Sequence, residues 1–243
     1  MRLMVYNIRY GTGKRVPLFP WSGYFGRTSE HLVEMASFIR SEDPDIVGLV
    51  EVDEGSYRSG RKNQAEMLAR LLGHYHIYRS KYHRLSMVQQ LPVLNKQGNA
   101  FLTRNTIREQ RFHYFQKGMK RLVIELEMNE VIIFLVHLAL GFRARHHQLD
   151  DLYALAKDAR KPTIVAGDFN VPKGDRELRL FLAATGLANA NQQGLPTYPS
   201  WKPRRQLDFV MHSREIAVRR FWMPRVTLSD HLPLLLDFEV LKP

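Results

Sequence analysis

"TIVAGDFNVP", residues 163–172, runs from an apolar stretch straight into an acid and an amide two positions apart. Thr163, Ile164, Val165 and Ala166 read as a buried strand, and the chain leaves its core at Gly167 to present Asp168 and Asn170. Polar groups at the carboxyl end of a strand in an α/β sheet are where ligands bind, although the same residue types also make ordinary turns. The other strand ends decide between the two.

Apolar runs of strand length recur at 3–8, 45–52, 99–102, 122–128, 131–138, 163–166, 207–211 and 234–240. Helical spacing appears over 29–40, 64–72, 144–159 and 176–185. This mixture predicts an α/β layered fold with at least one large mixed sheet, in one domain spanning residues 1–243. Two long segments, 9–27 and 187–206, combine glycine and proline with aromatics and arginines, a composition expected of functional loops.

The chain has 243 residues, no cysteine, 36 Lys and Arg against 24 Asp and Glu, and a formal charge of +12. The absence of cysteine excludes disulfides, thiolate metal sites and a cysteine nucleophile, leaving oxygen and imidazole ligands. No stretch reads as a signal peptide or a membrane span, which predicts a soluble, cytoplasmic protein. The positive charge favours anionic partners: nucleic acid, an anionic membrane surface or small phosphates.

The behaviour of "GDFN" repeats elsewhere. "MVYNIR" brings a strand to Asn7, "IVGLVEVD" to Glu51, and "IIFLVHLAL" carries His137 among apolar neighbours. "RRQLDFVM" puts Asp208 at a strand start, and "VTLSDHLP" puts Asp230 and His231 just before one. Each alone has a plain structural explanation: a turn cap, a core histidine, a salt bridge. Together they form a chemical set. Glu51, Asp168, Asn170, Asn7 and Asp230 are hard oxygen ligands of the kind Mg²⁺ or Mn²⁺ accepts. A histidine held by a carboxylate, the role suggested for His231 and Asp208, keeps a fixed tautomer and a raised pKa. Phosphoester hydrolysis needs these parts.

The ordered series Asn7, Glu51, His137, Gly167 to Asn170, Asp208 and the "SDH" at 229–231 closely resembles the endonuclease/exonuclease/phosphatase superfamily, over most of the chain. The resemblance implies a DNase I-like, four-layer sandwich of two packed mixed β-sheets flanked by helices, with the site where the loops meet at one end. It implies Glu51 as principal metal ligand with Asn7, and Asp230 at a second metal position or on the water. It further implies Asp168 as the group that orients or deprotonates the attacking water, Asn170 on the phosphate, and His137 stabilising the transition state. His231, oriented by Asp208, would contact the phosphoryl oxygen or act as acid/base; which of Asp168 and His231 is the base stays open. Exonuclease III-type members have an aspartate where this chain has Arg9 and lack a histidine at the His137 position, so the abasic-site endonuclease branch does not fit.

Arg58, Arg143, Arg145 and Arg204 fall near these strand ends and are expected to ring the mouth and bind substrate. The expectation is a monomeric Mg²⁺- or Mn²⁺-dependent phosphodiesterase acting on nucleic acid, with no protein partner evident. The alternatives are a lipid-headgroup phosphodiesterase or inositol or small-molecule phosphatase and, from a different class, a non-catalytic binding module. Phe19, Trp21 and Phe25, beside arginine, suit base stacking, a lipid interface or packing under their own loop.

Overall fold

The computed structural model describes residues 1–13, 29–80, 96–118 and 120–241. The aromatic loop carrying Phe19, Trp21 and Phe25 lies outside them, as does the side chain of Arg58.

The chain runs β1 (Arg2–Asn7), α1 (Ser29–Glu42), β2 (Ile46–Asp53), α2 (Gln64–Leu72), β3 (Tyr75–Ser80), β4 (Gln97–Thr103), β5 (Glu109–Tyr114) and β6 (Leu122–Glu127). It continues through β7 (Ile132–His137), α3 (Phe142–Asp158), β8 (Thr163–Asp168), α4 (Arg179–Thr185), β9 (Ala188–Asn189), β10 (Asp208–His212), β11 (Ile216–Trp222) and β12 (Leu234–Val240). The helix expected over 176–185 is a 3-10 turn, Gly174–Leu178, running into α4.

Two six-stranded sheets form, ordered β11-β12-β1-β2-β4-β3 and β5-β6-β7-β8-β10-β9. Each has one parallel pair, β1 with β2 and β7 with β8, joined through α1 and α3 respectively. Adding six to every strand number, and counting on from twelve to one, converts the first order into the second. The fold therefore repeats a topology without a repeat in sequence, and the ends of β1 and β2 answer to the ends of β7 and β8.

Strands buried on both faces explain the unbroken apolar runs. Leu3 and Val5 of β1, Ile133 and Leu135 of β7, and Ile164 and Ala166 of β8 share one core between the sheets. The intervening Met4 and Tyr6 pack outward with Leu32, Met35 and Ile39 of α1, and Val165 packs outward with Leu149 and Leu152 of α3. Helix, sheet, sheet and helix thus make four layers. Among the described residues no helix is long and apolar enough to cross a membrane.

Candidate active site

Side chains alternate along a strand, so the inner face of β1 continues from Leu3 and Val5 to Asn7. By the same period the inner face reaches His137 in β7, Asp168 in β8 and, counting back from Val210, Asp208 in β10. The polar site is therefore the open end of the core between the sheets. Four of the expected residues arrive there by strand parity alone.

Glu51 does not. Ile46 and Val50 face the inter-sheet core while Val47 and Leu49 face outward, which would send Glu51 outward as well. The register between β2 and β4 shifts between Leu49 and Val52, and Glu51 adopts φ 57°. Such a left-handed residue costs about 1–3 kcal/mol, and strain of this kind concentrates at functional sites. The bulge turns Glu51 inward, where Oε1 lies 3.7 Å from His137 Nε2. Val52 then packs on the outer side.

Gly167 shows why the glycine precedes the acid. A Cβ there would lie 2.0 Å from the Val136 carbonyl oxygen on the neighbouring strand, and the residue sits at φ 141°. Only glycine lets β8 pass β7 this closely while delivering Asp168.

Asp168 is buried. Its Oδ1 accepts the Asn170 N–H at 2.9 Å, and its Oδ2 accepts Asn7 Nδ2–H at 3.1 Å and lies 3.4 Å from His137 Nε2. Burial pushes this carboxyl up to about 6, against the pull of His231 and Lys120. Asn7 Oδ1 meanwhile accepts the Arg9 N–H at 3.0 Å, so both ends of that amide are used. Asn170, at φ 51°, donates through Nδ2 to the Leu138 carbonyl at 2.9 Å, pinning the β8 turn to the end of β7.

On the far side, His231 Nδ1 meets Asp208 Oδ2 at 2.7 Å, and the same oxygen accepts the Thr197 hydroxyl at 2.6 Å. Nε2 is thereby turned toward Asp168 Oδ2, 4.0 Å away. Burial alone would lower the His231 pKa, but Asp208, with Asp168 and Asp230 nearby, raises it to about 10. The Tyr198 ring covers the imidazole at 4.9 Å between centroids. Asp230 is raised by its burial, and its Oδ2 lies 3.4 Å from Arg9 Nε. Ser229 Oγ donates to the Asn7 carbonyl at 2.7 Å, tying this loop to β1.

Asn7, Glu51, His137, Asp168, Asp208 and His231 therefore converge, with Asn170 and Asp230 at the margin. Lys120 joins them unanticipated: Nζ contacts His137 Nε2 and lies 3.8 Å from Glu51 Oε1. Its signal was available. In the β6–β7 register Val123 stands opposite Val136, which sets Leu122 level with His137, so a basic residue two positions before Leu122 shares its face at the same sheet end. Thr197, which fastens Asp208, carried no signal of its own in the sequence.

The expected arginine rim divides. Arg143 and Arg204 are exposed, as are Lys202 and Arg205. Arg145 is not a rim residue. It is 1% exposed, binds Glu177 Oε1 at 2.6 Å through Nε, and donates to the Ala139 and Leu140 carbonyls at 2.9 and 2.7 Å. One helical face carries Arg145, Gln148, Leu149 and Leu152 inward, so this arginine braces the β7–α3 turn.

Asp168, Asp208 and His231 present ligand atoms within 4.8 Å of one another. Because His231 Nδ1 faces Asp208 directly, that pair reads as a proton-holding dyad. The hard oxygens of Glu51 and Asn7, beside Asp168, suit a divalent cation better. A carboxylate and an amide oxygen gathered at one end of the core are a hard donor set, which fits such an ion.

Fold and site together define a phosphoester hydrolase built on two stacked mixed sheets. The chain belongs to the Endonuclease/Exonuclease/phosphatase family, which it matches over residues 4–231. This is a family of hydrolytic phosphoesterases that generally depend on divalent metal. The catalytic domain of human Nocturnin, with bound sulfate, superposes at TM-score 0.69 with 22% identity over 99% of this chain and 94% of that one. A mannosyl-6-phosphatase of Bacteroides thetaiotaomicron gives 0.74 with 16% identity, over 98% and 99%. The Neisseria 3′ phosphatase NExo, bound to a product DNA hairpin, gives 0.68 with 13% identity, over 98% and 99%. These likenesses show the fold. No curated protein sequence matches the chain.

Proposed function

We propose that the chain is a Mg²⁺- or Mn²⁺-dependent phosphodiesterase that hydrolyses nucleic acid in the cytoplasm. The observation that carries the chemistry is the opposition of Asp168 and His231 across 4.0 Å, one carboxyl near pKa 6 and one imidazole near pKa 10. At neutral pH the first accepts a proton and the second already holds one. Asp168 accordingly orients a water against phosphorus and takes its proton as the P–O bond to the leaving sugar oxygen breaks, the departing alkoxide taking a proton from bulk water, while His231 Nε2–H donates a hydrogen bond to a non-bridging oxygen. Lys120, its ammonium held against His137 Nε2, adds positive charge as charge builds on the phosphoryl group. Glu51 and Asn7 would hold the divalent ion, which neutralises phosphoryl oxygens when bound.

Substrate choice rests on the surface. Arg143 at the start of α3 and Lys202, Arg204 and Arg205 in the turn before β10 are exposed, Trp201 beside them is 41% exposed, and the chain carries +12. Cations with an aromatic suit a phosphate backbone with unpaired bases. One observation favours a lipid-headgroup diester instead: Leu140 and Phe142, 73% and 59% exposed, flank Gly141 at the same end of the molecule.

The test is metal-dependent product release from linear and nicked DNA, RNA, sphingomyelin, a phosphoinositide and bis-p-nitrophenyl phosphate, with His231→Ala as the blank. Nucleic-acid cleavage that disappears in EDTA and in the variant, and weakens with salt, supports the reading. Turnover confined to a lipid or a monoester overturns the substrate assignment.

A further inference from the structure

Asp230, which the family resemblance places at a second metal position or on the water, already has a cation beside it. Arg9 Nε lies 3.4 Å from Asp230 Oδ2, with the two side chains 16% and 15% exposed. A guanidinium keeps its charge at every pH the protein survives, so this is a permanent positive charge at the site.

The approach is built into the backbone. Arg9 and Tyr10 both take left-handed conformations, φ 45° and 55°, which neither residue type favours. The loop holds them there by its own bonds. Arg9 N–H donates to Asn7 Oδ1, and the Arg9 carbonyl accepts the Thr12 hydroxyl at 2.8 Å and the Thr12 N–H at 3.2 Å. Tyr10 is anchored further in, its carbonyl accepting Gln64 Nε2–H at 2.7 Å and its hydroxyl donating to Gln97 Oε1 at 2.9 Å. Two consecutive strained residues, each tied to a buried amide, fold the chain back so that Arg9 turns into the site.

We propose that Arg9 takes the place of a second cation: it neutralises Asp230 and leaves the site one divalent position, at Glu51 and Asn7. A dication placed on Asp230 would lie beside the guanidinium, and like charges a few ångströms apart in a partly buried site repel strongly. The inference rests on the divalent-metal reading of the site above, and it makes Asp230 a partner of Arg9 rather than a metal ligand.

Binding stoichiometry tests it without turnover. The full chain is titrated with Mn²⁺ by calorimetry, with free Mn²⁺ followed by electron paramagnetic resonance. One ion is expected for the wild type and for Arg9→Lys, two for Arg9→Gln, and loss of the tight ion for Glu51→Gln. Two ions on the wild type, or a single ion on folded Arg9→Gln, would overturn the role of Arg9 and leave the metal reading standing. Should Arg9→Gln fail to fold, Asp230→Asn decides: the single tight ion is kept if Asp230 is a partner of Arg9, and its loss would overturn that role. A wild type that binds no Mn²⁺, or binds it unchanged in Glu51→Gln, overturns the metal reading and this inference with it.

Discussion

His231 and Asp208 are joined by a 2.7 Å contact, and the Thr197 hydroxyl fixes the same carboxylate oxygen at 2.6 Å. The dyad is buried, so its charge balance governs both reactivity and stability. Asp208→Asn should leave the fold intact but remove the charge that keeps His231 protonated. We expect hydrolysis to fall by roughly 10²–10⁴-fold, the range for a disabled acid or base. Steady-state kinetics against a diester, with circular dichroism as the folding control, checks this.

The same pair predicts a stability profile. The folded His231 pKa, about 10, stands above its ordinary 6.5. The stabilisation is therefore fully present below pH 6.5 and is lost as pH rises through about 10. Asp168, raised to about 6 from 3.8, likewise stabilises below 3.8 and loses that contribution as pH rises through 6. Urea midpoints from pH 6.5 to 10 should fall for the wild type and change less for Asp208→Asn. Equal slopes would show that His231 is not the group responsible.

Lys120 places its ammonium against His137 beside Glu51. Removing one donor aimed at developing phosphoryl charge costs on the order of 10²–10³ in kcat. Lys120→Met should show that loss with KM less affected, and Lys120→Arg should recover part of it.

The arginines separate by burial. Arg145→Ala strands Glu177 without its partner and should cost about 3–5 kcal/mol in urea unfolding, as breaking a buried pair does. Arg143→Ala and Arg204→Ala should leave stability within about 0.5 kcal/mol. Each should instead lower the salt dependence of nucleic-acid binding by about one unit of slope. A shift in stability from the exposed pair, or none from Arg145, would contradict this division.

Both the readable strands and the missed ones follow from position in the sheets. The expected strands lie in sheet interiors, where both faces are buried and the sequence is continuously apolar. The missed strands, "YHIYRS", "EQRFHY", "AN" and "IAVRRFW", are the four sheet edges. Edges meet water, so polar and charged residues interrupt their apolar ones and break the run that marks an interior strand. In the site, Asn7, Glu51, His137, Asp168, Asp208 and His231 were legible because acids, amides and imidazoles stand out against apolar strands. Arg145 misled because "GFRARHH" shows charge and hides which helical face turns inward. The Glu51 bulge and the left-handed Arg9 were invisible, since both depend on neighbouring strands and loops that the local sequence does not record.

The central claim, that Asp168 is the group through which this chain hydrolyses phosphodiesters, meets its most direct test in one comparison. Cleavage of single-stranded DNA and RNA is measured with Mg²⁺ or Mn²⁺ for the wild type and for folded Asp168→Asn, each with and without EDTA. The account predicts metal-dependent cleavage by the wild type and a loss of at least ~10³-fold in the variant, since the amide cannot accept the proton. Cleavage that persists in Asp168→Asn, or survives EDTA in the wild type, would contradict it.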